Sequence, residues 1–196
     1  MKYAYKSVLL AAAAVLVCAG PALSADKYVI DTVHSHIGFS IKHLGINTVR
    51  GEFHDFSGVI MADEKDLSKC SVEVVIQAAS IDTDNEKRNA HLKSADFFNA
   101  EKIPTLTFKS TSVKKTGSGY TAAGNFTMHG VTKVISIPFT YAMVKDPQGK
   151  MRIGVEAALT LNRQDYGVKW NSVMDNGGLL VGNDVKIELD VEAVKQ

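Results

Sequence analysis

Six histidines, His34, His36, His43, His54, His91 and His129, are the first candidates for chemistry in this 196-residue chain. His34 and His36 stand two apart, so on a strand both imidazoles would point to one face. With His43 and His54 from adjoining strands they could approach a zinc or copper site. The rest of a metal motif is missing. The chain has no His-Glu-x-x-His and no Cys-x-x-Cys, the spacings that bring ligands together on a helix or knuckle. No metal is expected, and rim or surface roles suit these histidines better. Catalytic motifs are missing too. The chain has neither a Gly-x-Ser-x-Gly elbow nor a Gly-x-x-x-x-Gly-Lys phosphate loop. His91, Asp96 and Asp165 read as structural, with Asp96 placed to cap the turn carrying Phe97 and Phe98. No catalytic residue is expected. An enzyme with catalytic groups dispersed over several strands remains the alternative.

The elements that would position any site have a period of two. Ile37, Phe39 and Ile41 alternate with Gly38 and Ser40; Val72, Val74 and Ile76 share one face. Ile153, Val155, Ala157 and Leu159 do the same, as do Val185, Ile187, Leu189 and Val191. One apolar face per strand describes a sheet around a single interior. Gly117-Ser118-Gly119, His129-Gly130 and Asp146-Pro147-Gln148-Gly149 supply short links between antiparallel neighbours. About eight strands result, the number at which a barrel closes with room for side chains or one ligand. An open sandwich is the structural alternative. Thr83-Asp84-Asn85-Glu86 reads as a capping box with threonine at the N-cap, predicting a helix over Asp84 to Lys93 between strands. The long polar, glycine-rich segment from Arg163 to Gly182 is a candidate functional loop.

Residues 1–25 read as a separate unit. Lys2 and Lys6 precede an apolar run from Val8 to Ala19, and Gly20, Pro21, Ala22, Ser24 and Ala25 follow. This is the order of a secretory signal peptide, and the run is too short for a stable membrane span. Residues 26–196 would then form one domain. The expected compartment is the bacterial periplasm. Cys18 falls inside the apolar run, so Cys70 remains alone and no internal disulfide can form. A formal charge of +1 gives no field for nucleic acid.

A small barrel offers an apolar interior, the usual lining of a lipid pocket. Phe39, Phe53, Phe56, Phe97, Phe98, Phe108 and Trp170 could supply its walls. The same aromatics could equally fill a solid core, since alternation does not separate a filled interior from a lined one.

Several segments, taken in order, resemble the YceI-like family of periplasmic polyisoprenoid-binding proteins. They are Tyr28-Val29-Ile30-Asp31, His34 to Gly45, and Gly51-Glu52-Phe53-His54-Asp55-Phe56-Ser57-Gly58. Arg88, His91 to Phe98, Pro104, Phe108, Thr127 to Lys133 and Asn162 to Gly167 follow. The resemblance implies an all-β, lipocalin-like eight-stranded antiparallel barrel with a short helical insert. It also implies a pocket for a polyisoprenoid, an isoprenoid quinone or a related amphiphile, a homodimer, and no catalysis or cofactor chemistry. A lipid head group would need a polar mouth. His43, Asn47 and Arg50 at one strand connection, and Arg163 with Tyr166 in the long loop, are candidates. Arginine would suit a pyrophosphate bidentately. A filled barrel acting as an interaction or stress-related protein, and a histidine metal protein, are the other readings.

Overall fold

The alternating runs become strands because each has one apolar face to bury and one polar face to leave in water. The computed structural model describes residues 25–173 and 178–196. The expected signal peptide, apart from Ala25, lies outside them. The strands are β1 (Asp26–Ile30), β2 (His36–His43), β3 (Asn47–Phe53), β4 (Phe56–Ala62), β5 (Ser71–Gln77) and β6 (Ile81–Asp82). The helix α1 (Glu86–Lys93) follows. Then come β7 (Thr105–Thr116), β8 (Gly119–Met128), β9 (Val131–Lys145), β10 (Met151–Asn162) and β11 (Val181–Lys195). Among the described residues, no helix is long and apolar enough to cross a membrane.

Eight strands close a ring in the order β1, β4, β5, β7, β8, β9, β10, β11 and back to β1, all antiparallel. This is the expected barrel with one short helix. Its closure depends on β11. One edge of β11 pairs with β10 from Asp184 to Val194. The other edge is shared: β2 takes Val181 to Asp190, and β1 takes Ala193 to Lys195. Ser35 bridges the interruption between β1 and β2. Its Oγ donates to Asp31 O at 2.7 Å and accepts from Glu192 N at 2.9 Å. A side ribbon, β2–β3–β6, branches from this seam. Below, the end of the barrel carrying α1 is the helix end, and the end carrying the 146–149 turn is the turn end.

The insert starts later than the sequence predicts. Asp84 has φ +57° and cannot be helical, so Asn85 is the N-cap, accepting from Arg88 N at 2.9 Å. Thr83 is engaged elsewhere: its Oγ1 donates to Asn89 Oδ1 at 2.6 Å and accepts from Arg88 Nε at 2.8 Å. Asp82 accepts from Asn89 Nδ2 at 2.7 Å and from Asp84 N at 2.9 Å, which fastens α1 to β6. Asp96 does not cap its turn. It accepts from His91 Nε2 at 2.9 Å, while Ser94 Oγ accepts from Asp96 N.

A Cβ on Gly124 would lie 2.4 Å from Lys109 O and 2.6 Å from Ser110 Cα, both backbone. Gly124→Ala should therefore destabilise the barrel by about 1–3 kcal/mol, lowering the urea midpoint at unchanged slope. Asp82 is held down to about 2 by hydrogen bonds from Asn89, Asp84 and His54. Its contribution is present above the ordinary carboxylate range and is lost as pH falls from about 4 through about 2. Asp82→Asn should flatten the acid dependence of stability in that window.

Candidate ligand cavity

Inward-facing residues of the barrel fall into two groups. On one wall they are fully buried: Phe53, Phe56, Leu106, Phe108, Phe126 and Met128. Along the middle of β9, β10 and β11 they are only half-buried, alternating with exposed neighbours, while Ile153 and Ala193 near the turn end are fully buried. Ile135, Ile137, Val155, Leu159, Ile187 and Leu189 face open space inside the barrel. That space is a cavity of about 290 Å³, close to the smaller ligand pockets of proteins. It follows β11 from Val181 to Val191 and so runs most of the barrel's length. Its walls are almost wholly apolar.

Polar groups reach it only near the ends. Asp63, Glu64, Cys70, Ser71, Tyr120 and Tyr141 line the turn end, and Arg163 lines the helix end. The Tyr120 and Tyr141 rings lie 5.0 Å apart. Burial, with the hydrogen bond that Tyr141 shares with Tyr120, pushes the Tyr141 hydroxyl up to about 12, so it stays protonated. Cys70 is half-buried; its thiol accepts from Asp63 N at 3.2 Å.

Arg163 is 4% exposed, and its partners are carbonyl or amide oxygens. Nε donates to Gly182 O at 2.8 Å, and Nη1 donates to Val168 O at 2.7 Å and Trp170 O at 2.9 Å. Nη2 reaches Val181 O and Asn183 Oδ1, both at 3.5 Å. Burial lowers its affinity for a proton, yet a guanidinium remains charged at physiological pH. The group thus binds the two ends of the long loop to each other, and its donors are already occupied.

The other sequence candidates divide. Phe39, Phe53, Phe97, Phe98 and Phe108 line the cavity. Trp170 does not; it packs against His91 at 4.9 Å and Phe97 at 5.2 Å, outside the lining. Tyr166 is buried edge-on against Phe126 and is also outside it. His43, Asn47 and Arg50 sit on the β2–β3 hairpin, with Arg50 facing water. They do not join Arg163 on the cavity wall. Selecting aromatics missed the aliphatic wall of β9–β11, although its alternation was visible.

Four of the six histidines, His34, His36, His54 and His91, lie against carboxylates. His36 Nδ1 meets Glu52 at 2.8 Å, and His54 Nε2 meets Asp82 at 3.4 Å. Asp31, His34 and Glu192 bring ligand atoms within 4.8 Å of one another. Arg152 lies among them, donating to Asp31 at 3.1 Å and also to Glu192 and Asp146. The positive charge such a group could take from a cation is thus supplied by a guanidinium.

Arg163→Met should unfasten the long loop. It leaves the carbonyls of Val168, Trp170 and Gly182 without their donor, a loss of about 3 kcal/mol in urea unfolding. Arg163→Lys should recover less than half of it, since one ammonium cannot span the same fork.

Residues 28–193 match the family model described as the YceI-like domain. A UPF0312 protein of Serratia proteamaculans is 42% identical over 194 residues, covering 97% of both chains. A UPF0312 protein of Pseudomonas aeruginosa is 41% identical, covering 95% of this chain and 96% of its own. The crystal structure of a Campylobacter jejuni YCEI protein is 31% identical, with TM-score 0.68, over 80% of this chain and 90% of that one. BcnA of Burkholderia cenocepacia shares the fold at TM-score 0.72 and 21% identity, over 83% of this chain and 98% of its own. A polyisoprenoid binding domain from Saccharophagus degradans shares it at TM-score 0.64 and 15% identity, over 88% of this chain and 100% of its own. With its barrel, insert and nearly full-length match, the chain belongs to the YceI-like family.

Proposed function

We propose that this protein is an exported carrier, not an enzyme, that holds a polyisoprenoid or similar long-chain amphiphile inside its barrel. The carrying observation is the long, nearly all-apolar cavity. Each CH₂ moved from water into such walls gains about 0.8 kcal/mol, so a chain is held without directional contacts. The Saccharophagus degradans neighbour, described as a polyisoprenoid binding domain, supports the same ligand class. The apolar run of residues 8–19 behind Lys2 and Lys6 supports export to the periplasm with removal of residues 1–25. A homodimer belongs to this reading as well, on the family resemblance.

Native mass spectrometry of protein purified without detergent tests it. The expected result is a bound mass that organic extraction identifies as an isoprenoid or other long-chain lipid. Bare protein that also refuses added polyprenol would overturn the reading. Ala157 lines the void on β10, so Ala157→Phe should fill space without crowding the fold. It should weaken polyprenol binding about tenfold or more, ~1.4 kcal/mol, at an unchanged melting temperature.

A further inference from the structure

The helix end carries an apolar feature that the cavity does not use. The hairpin between β2 and β3 turns through Leu44 and Gly45, at φ +54° and +73°, with Ile46 N bonded to His43 O at 3.2 Å. Positive φ at both central positions is the tight hairpin geometry in which asparagine, aspartate or glycine is favoured. Leucine there strains the backbone, and a polar residue would make a better turn. Next to it Ile46 is 84% exposed.

The long loop runs alongside. Leu44 N donates to Leu180 O at 2.9 Å, and Val181 pairs with His43. Val173 and Leu179 form a bridge and are 70% and 40% exposed. Four apolar side chains, Leu44, Ile46, Val173 and Leu179, thus belong to two adjoining loops at one pole of the barrel. Val134 and Val144, also exposed, lie elsewhere on β9. Around the tip, residues 42–50, 167–173 and 178–183 carry Lys42, His43, Arg50 and Lys169 and no carboxylate; Asp175 is the one acid of the sequence from 167 to 183. Lys42, Arg50 and Lys169 are all exposed. At the turn end acids and bases are mixed, with Asp63 and Asp66 both close to Lys69.

We propose that this tip docks the protein on an anionic phospholipid bilayer, its aliphatic side chains entering the interface and Lys42, Arg50 and Lys169 meeting the head groups. Apolar anchors with a basic surround are what an interfacial site requires. Charge complementarity selects this partner, and the tip adjoins Val181, where the cavity lining begins. The inference rests on the carrier reading for its purpose, and the two fail separately. Loading is read in solution with polyprenol, and docking is read on vesicles.

The experiment is vesicle flotation of protein purified from cells expressing the full 196-residue sequence. Phosphatidylglycerol–phosphatidylethanolamine vesicles should retain it, phosphatidylcholine vesicles should not, and about 0.5 M salt should release it as charge is screened. Ile46→Ser with Val173→Ser should weaken retention about tenfold or more while Val134→Ser leaves it unchanged. Leu44→Asn carries the sharpest test, since it should raise the melting temperature and lower retention together. No retention on anionic vesicles, or equal loss with Val134→Ser, overturns the proposal. So does a tip variant that retains full binding, or one that turns a dimer into a monomer, which would make the tip a subunit interface.

Discussion

The divided edge of β11 governs the molecule. A barrel is stable only if no strand edge is left without partners, and β11 is too long for any one neighbour on that side. Two short strands divide it, β2 below and β1 above, and the gap between them must be bridged by side chains. Ser35 does this on the backbone. Arg152 reinforces it from β10, joining Asp31, Asp146 and Glu192 across three pieces of chain. Because β2 leaves the ring at this seam, β3 and β6 hang from it as a side ribbon, and α1 hangs from β6. The insert and the hairpin tip therefore share one pole as a consequence of how the ring closes.

Much of this was legible in the residues. Strict alternation from Ile153 to Leu159 and from Val185 to Val191 gave the strands, their inward faces and a single interior. Alternation could not say whether that interior was full. The answer depends on how far apart the walls stand and on which side chains are bulky. Ile135, Ile137, Val155, Ala157 and Ile187 on β9–β11 line the open space together with phenylalanines of other elements. Aromatic residues drew attention by size, yet Phe56 and Trp170 end up outside the lining while plain aliphatics form more than half of it.

Other misreadings have local causes. The capping box failed because Asp84 enters the left-handed region, which shifts the helix start by two residues and diverts Thr83 to Asn89. Arg163, one candidate for a head-group mouth, is engaged by the loop's own backbone. Its acceptors come from residues 168, 170, 181, 182 and 183, brought together only when the long loop folds back on itself. No spacing in the sequence announces that return. The family resemblance carried the topology well and said nothing about which charges were already engaged.

The near absence of polar groups along the cavity has a thermodynamic consequence. A water molecule inside needs two to four hydrogen-bonding partners, and apolar walls offer none. Between its polar ends the space therefore holds water only weakly. An alkyl chain arriving there displaces only weakly held solvent and gains dispersion contacts with the walls. Entry of this kind releases heat at ordinary temperature, and the usual entropic signature of burying grease is carried by the solvent the chain leaves behind.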